Sequence, residues 1–464
     1  MNITNKNTLI IFSVALLTLI QRTQAKCTNP ADLDRTFGPQ NNGIVLIDFG
    51  GVNLGEGGLV IDDQGRIVVC GVTLTSYIPP IGSDFAVARL LPNGLLDTSF
   101  GPSNDGKVTI DFGGTDLGTG GVVRDTQGRL IVAGYEIPSF NFAVTRLLEN
   151  GSLDSSFAGD GTVVGMGNNI RHISGIKLNK EGKIVLFGYT TGDNLIVIQL
   201  NTDGSLDASF GTAGTPGIQE IGFGGRDITR SDFIIDTQGR IVIVGYTDVG
   251  SNPTNFAIAR LNADGSFDTT FGSGGQTTVN IGDDIAEGGI ALTRSGKIVI
   301  LGTNNTGSDN TMVAFQLNDD GSLDTTFGTN GSTTVDLGVD ERGNRGITID
   351  SWGNIYLYGI QDDPGQFRQF LVARLTKNGS LDTSFGNNGT QIIKVDTSTS
   401  YITTEGEGGI AIDAQGRIVL LGSTLLHPPL PNVNFAVVRL CGDQLPAFVT
   451  ALREKYRANC SVLP

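Results

Sequence analysis

Reactive and metal-binding side chains are scarce in this sequence: its 464 residues include two histidines, four cysteines, three methionines and one tryptophan. There is no Gly-x-Ser-x-Gly nucleophile elbow, no His-Glu-x-x-His metal motif and no Cys-x-x-Cys pair, so most familiar hydrolase and metalloenzyme designs lose support. Charge is also sparse, at 17% of residues, and basic residues are the minority, 31 against 47 acidic, for a net charge of −16. That balance removes the electrostatic case for nucleic acid or an anionic membrane as partner. Glycine (67) and proline (15) together stay below the roughly 25–30% that marks a low-complexity chain, and 39% hydrophobic residues supply a core, which excludes disorder and collagen. Glycine itself stands at about twice its usual share of roughly 7%, and that surplus points to organisation.

The one long apolar run, Leu9 to Ile20, follows Lys6 and precedes small residues at the −3 and −1 positions of a cut after Ala25. This is the layout of a secretory signal peptide, too short to span a bilayer as an ordinary helix. The expected product is a secreted protein, periplasmic, extracellular or on the cell surface, with no integral membrane segment. It loses two basic residues and no acid, and is more acidic still. Export makes disulfides possible for Cys27, Cys70, Cys441 and Cys460.

Self-similarity organises the rest. A marker of the form Leu-Asp-x-Ser/Thr-Phe-Gly recurs with its aspartate at Asp34, Asp97, Asp154, Asp207, Asp268, Asp324 and Asp382, in steps of 53 to 63 residues. Each unit carries four short strand signals. In the first complete one these are Gly58 to Ile61, Ile67 to Cys70, Phe85 to Leu90 and Lys107 to Phe112, separated by the turns Asp63-Gln64-Gly65 and Pro92-Asn93-Gly94. The expected fold is all-β: a seven-bladed β-propeller of four-stranded blades over residues 26–441. The N-terminal strand, Gly43 to Phe49, pairs with the last blade to close the ring. Residues 442–464 form a helical tail, with Leu445, Phe448, Val449, Leu452 and Tyr456 on one face. A monomer is expected.

The hairpin Asp-x-x-Gly-Arg-Ile, the strand Phe-Ala-Val-x-Arg-Leu and the marker Asn/Asp-Gly-Ser-Leu-Asp-x-Ser/Thr-Phe-Gly resemble the delta-60 repeat proteins, a mostly bacterial, propeller-like group. The resemblance covers roughly residues 31 to 440. It implies the fold and brings no catalytic residues or activity with it. Departures from the pattern fall at Ala158, at Met166-Gly167 and at Asp232, which replaces a glycine at the start of an inner strand.

Aligning the ends of the chain on the repeat places Cys27 and Cys441 where adjacent residues of a continuous unit would lie, within disulfide reach. Such a bond closes the ring and is worth on the order of 4–5 kcal/mol in the chain-entropy model. Cys441–Cys460 and Cys27–Cys460 are the rival pairings. Cys70 falls at a position that is apolar in the other units and reads as a core thiol.

Two kinds of site follow. The connections after the second and fourth strands vary in length, and binding usually resides in variable loops on a rigid frame. The longest, Thr73 to Asp84 and Ser423 to Asn434, carry Tyr77, Pro79, Pro80, Leu425, His427 and Pro428 and belong to blades that are neighbours once the ring closes. They point to a protein or glycan partner. Alternatively, Glu56, Asp116, Glu287, Glu341 and Glu407 lie just before inner strands, around one mouth of a central channel. There Glu56, Glu287 and Glu407 form a carboxylate set for a glycan or lactone hydrolase, and Glu56, Asp116, Glu287 and Glu407 a weak Ca²⁺ site. No cofactor is otherwise expected. The marker turns look superficially like calcium loops, but Arg260, Gln316 or Arg374 stands where an acid is needed, so the marker aspartates read as turn caps.

Overall fold

The computed structural model describes residues 27 and 29–443, apart from 75–81, 166–168, 212–214, 229–231, 249–254, 282–284, 306–309, 363–367, 396–399, 402–407 and 427–432. The described residues form thirty β-strands and no helix. The expected tail helix and signal peptide lie outside them.

Successive strands of a unit pair antiparallel, and the two middle strands of each unit are almost wholly apolar. Ile67–Leu74 and Ser83–Leu90, for example, bury nearly every residue. Both faces of these strands are covered because each sheet is sandwiched between its neighbours. One core cluster thus combines Val68, Cys70, Phe85 and Val87 of one unit with Val122, Leu130 and Val132 of the next. Cys70 is buried, forms no disulfide, and its thiol donates to the Gly58 carbonyl at 3.7 Å. The innermost strands touch in series from Val52–Ile61 through Thr115–Arg124, Ile170–Leu178, Phe233–Ile235, Ile285–Leu292 and Asp340–Ile349 to Ile410–Ile412, and this last returns to Val52–Ile61. The sheets therefore stand around a common axis. At the seam, Ile44–Ile47 pairs antiparallel with Val433–Leu440, and Cys27 is bonded to Cys441 with the Cα atoms 5.4 Å apart.

The expectation of seven separate four-stranded blades is corrected by the hydrogen bonding. There are six sheets: five have four or five strands each, and the sixth has eight. The eight-stranded sheet arises because a parallel pairing of Ser83 with Thr115 joins the strands of two consecutive units. The two five-stranded sheets arise where the innermost strand is broken in two, as in Arg226–Ile228 and Phe233–Ile235, which both pair with Ile241–Asp248. Inner strands also begin earlier than their sequence suggests. Val52–Ile61 includes the polar and glycine-rich stretch before Gly58 and absorbs it in a bulge between Leu54 and Gly58.

The marker aspartates explain why the units repeat so faithfully. Asp97 Oδ1 accepts the N–H and hydroxyl of Ser99, while Oδ2 accepts Arg89 Nε at 2.8 Å. Arg89 lies over the Phe100 ring, 4.6 Å from its centroid, and donates to the Glu149 carbonyl of the next unit. The same set recurs as Arg146–Asp154, Arg260–Asp268, Arg374–Asp382 and, across the seam, Arg439–Asp34. The arginine that disqualifies the marker as a calcium loop is the aspartate's own partner. Two units have glutamine in place of this arginine, and a lysine from the hairpin serves instead: Gln199 and Lys183 both donate to Asp207, and beside Gln316 it is Lys297 that reaches Asp324. One cation then still meets each aspartate.

Backbone bonds continue the stitching. Gly38 N–H donates to the Asn93 carbonyl of the next unit, and Ala158, which stands in for the marker glycine, still donates to Asp203 at 2.9 Å. Gly94 sits at φ +84°, and a Cβ there would meet the Phe37 ring and the Gly38 nitrogen below 3 Å. Only glycine lets these backbones approach so closely.

Candidate functional site

The inner strands line a cavity of about 230 Å³ on the ring axis, bordered by Gly57, Gly120, Gly175, Gly346 and Gly408 and by the charged residues Glu56, Lys177 and Asp232. Asp232, in its glycine position, is held 3.0 Å from Lys177 Nζ, so the departure seen in the sequence is compensated by a cation inside the channel. His172 lies within Ile170–Leu178, with Nδ1 3.0 Å from Ser174 Oγ and its ring near those of Tyr135 and Tyr189, at centroid distances of 5.1 and 5.8 Å.

The carboxylates expected to gather at the channel mouth do not form one described set. Glu56 lines the channel, whereas the side chain of Glu287 and the whole of Glu407 lie outside the described residues. Asp116 and Glu341 are fully buried at the start of their inner strands, where one carboxylate oxygen of each accepts the N–H four residues back, at Phe112 and Leu337. Asp227 repeats that arrangement, with Phe223 N–H at 2.6 Å from Oδ2. The second oxygen of Asp116 and of Asp227 is buried with no hydrogen-bond partner among the described residues.

Asp116 meets two acids that sequence reasoning missed. Carboxylate oxygens of Asp84, Asp111 and Asp116 lie within 4.8 Å of one another. Burial, together with the charges of Asp111, Asp84 and Glu136, pushes the Asp116 carboxyl up to about 6 despite the opposing Phe112 N–H bond. Burial first, and then Asp111, also raises Asp84. The signal was present in the sequence: Asp84 is the only acid at a position filled elsewhere by Asn141, Asn194, Asn255, Thr311, Gln369 and Asn434.

A further cleft, on the turn face, holds Trp352, the sole tryptophan, 46% exposed beside Lys297, Gln316 and Lys377. It opens where the shorter Gln316 stands in the arginine position. Of the expected binding residues, Tyr77, Pro79, Pro80, His427 and Pro428 and the side chain of Leu425 lie outside the described residues. No helix among the described residues is long and apolar enough to cross a membrane.

Six repeats match a β-propeller family of unknown function. The model of that family, Domain of unknown function (DUF5122) beta-propeller, matches residues 65–100, 128–157, 181–210, 239–271, 294–327 and 353–385. Each match includes one hairpin turn, the third strand and the marker. No curated protein matches the sequence. Among solved structures, the chain is similar to a protein of unknown function from Dyadobacter fermentans, with 10% identity, TM-score 0.44, and coverage of 86% of this chain and 100% of that one. It is also similar to a catalytically inactive virginiamycin B lyase from Staphylococcus aureus, with 11% identity, TM-score 0.42, and coverage of 85% and 98%. The polysaccharide lyase Uly1 gives 9% identity, TM-score 0.46, and coverage of 86% and 99%. Likenesses this distant carry no functional argument.

Proposed function

We propose that the chain is an exported binding scaffold that engages a protein or glycan partner through the face of variable connections. Its markers keep the delta-60 resemblance as the description of the frame. The observation that supports this reading is the unequal distribution of charge pairing. On the turn face each marker aspartate has its own cation. On the opposite face Asp84, Asp111, Asp116 and Asp227 have no cation within salt-bridge distance among the described residues. A stitched frame needs no such groups, and the buried two, Asp116 and Asp227, are costly unless a ligand meets them. The Cys27–Cys441 disulfide suits an oxidising compartment outside the cytosol.

The test replaces residues 75–81 and 427–432 by short Gly-Ser connections and compares binding to a glycan array and to the host's secreted proteins by crosslinking. Loss of a ligand seen with the parent, at unchanged melting temperature, is the expected result. Unchanged binding overturns the reading. Turnover of a glycan or lactone that disappears in E56Q, E287Q or E407Q overturns it in favour of a channel enzyme.

A further inference from the structure

Two neighbouring units build the same corner of the fold with opposite chemistry. In one, Asn53 is fully buried. Its Nδ2 faces four acceptors: Asp48 Oδ1 at 3.2 Å, the carbonyls of Gly51 and Val433 at 3.1 and 2.9 Å, and Asn434 Oδ1 at 3.4 Å. Its Oδ1 accepts the Thr73 hydroxyl at 2.9 Å. A carboxamide nitrogen thus sits in a cage of oxygens and supplies it with two N–H donors.

One repeat along, Asp116 occupies the place of Asn53, Asp111 that of Asp48, Gly114 that of Gly51, Ser83 that of Val433 and Asp84 that of Asn434. The central donor has become an acceptor, and a neutral rim group has become a carboxylate. Asp116 is fully buried; its Oδ2 is taken by Phe112 N–H, while Oδ1 has no partner among the described residues. Glu136, paired across the strand from Asp116, adds a fourth acid, and its Oε1 accepts the Asn141 amide. The adjoining stretch 75–81 contains no lysine or arginine. Asp116 is the buried member of the group, Asp84 is half-buried and Asp111 exposed, and a buried carboxylate oxygen that faces other acids without a donor is costly as it stands.

We infer that a divalent cation of the calcium class takes the place that the Asn53 amide fills next door, held by Asp84, Asp111 and Asp116. The carbonyls of Ser83 and Gly114, counterparts of those on Asn53, are the remaining protein oxygens. An all-oxygen set of mixed carboxylates and carbonyls suits Ca²⁺, whereas Mg²⁺ demands stricter octahedral geometry and gives up its water reluctantly. The site is particular to this junction: Asp84, Asp111 and Asp116 form the one such group among the described residues. It also lies at the link between the two halves of the eight-stranded sheet, where Ser83 pairs with Thr115 and its hydroxyl donates to the Asp116 carbonyl at 3.0 Å. The ion clamps one unit to the next at the foot of the connection Thr73 to Asp84.

Calorimetric titration of the chelator-treated full chain with CaCl₂ and MgCl₂, paired with thermal melts, tests this. One Ca²⁺ per chain is expected, bound at least tenfold more tightly than Mg²⁺, with a higher melting temperature in Ca²⁺ than in chelator. D111N weakens Ca²⁺ binding at least tenfold. The double variant D84N/D116N restores the chemistry of the Asn53 corner: it folds, melts in chelator no lower than the parent, and binds no ion there. A parent chain that takes up no Ca²⁺ at millimolar concentration and melts identically in Ca²⁺ and chelator overturns the inference. A D84N/D116N chain that binds one Ca²⁺ with parental affinity overturns it equally.

Discussion

The two faces of the ring are built from the same strands yet solve the burial of charge in opposite ways. On the turn face, a carboxylate, a guanidinium and a phenylalanine ring form a repeated unit that also reaches the neighbouring backbone. On the other face, Asp116 and Asp227 are buried at strand starts with a backbone N–H on one oxygen and, among the described residues, no partner for the other. The repeat therefore keeps one way of joining units constant on the turn face and varies the residues at the corners of the other.

The sharpest way to break this contrast is to remove a cation from the turn face. Arg439 is 1% exposed and pairs with Asp34, 2% exposed, across the seam. Burial and the neighbouring Arg417 push its pKa down to about 10, where it remains charged at neutral pH. R439A leaves the buried Asp34 with only the longer contact to Arg417, at 3.6 Å, as its cation, and should cost about 3 kcal/mol in denaturant unfolding. Replacing Cys27 and Cys441 by serine should cost a comparable amount, about 4 kcal/mol, since the bond spans 414 residues.

Glycine positions sharpen the comparison at the next level. G94A adds a Cβ into the Phe37 ring at a positive φ, and should cost about 2–4 kcal/mol from strain and overpacking. Gly50, on the variable face at φ +92°, has no neighbouring atom within 4 Å of the place an added Cβ would take. G50A should cost only about 1 kcal/mol, for the backbone alone. Equal losses in denaturant unfolding would deny that the two faces differ in packing.

pH separates the faces by sign. Burial alone would raise the Asp34 carboxyl, but the Thr36 hydrogen bonds and the charges of Arg439 and Arg417 more than offset it and hold it below the usual range. Against the same effect of burial, hydrogen bonds from Ser99 and the charge of Arg89 do likewise for Asp97. Such groups contribute stability that is complete above the unfolded aspartate value of roughly 3.9 and is lost as pH falls through their folded values. Asp116, raised to about 6, does the reverse. In chelator its ionisation destabilises the fold above pH 6, and that penalty fades as pH falls toward 4. Melting temperature in chelator should therefore rise from pH 7 to pH 5 and fall below pH 4; D116N should abolish the rise and keep the fall.

The smallest expected effect comes from an exposed pair on the turn face. Arg124 meets Asp63, whose side chain is 91% exposed, and R124A should change stability by about 0.5 kcal/mol or less. A larger loss would show that the face is held by its charges in general rather than by the buried markers.

Most of the frame was legible in the sequence because its strands are local signals: apolar runs between glycine turns, copied in register. The constant eight-residue interval from Arg89 to Asp97, Arg146 to Asp154 and Arg260 to Asp268 also recorded the ion pairs, although spacing alone does not state that the side chains meet. What was not legible depends on how units dock. The merging of two units into one sheet rests on the single pairing of Ser83 with Thr115, which no local pattern encodes. Asp84 and Asp111 belong to one unit and Asp116 to the next, so their convergence appears only when the repeats are stacked.

The disulfide at the seam makes the chain a covalent loop. A protease that cuts once within any connection of the ring, the long variable ones included, leaves every unit tethered and merely creates new ends, so the nicked molecule is a circular permutant of the intact one. A single cleavage is then a change of connectivity and not a loss of the ring.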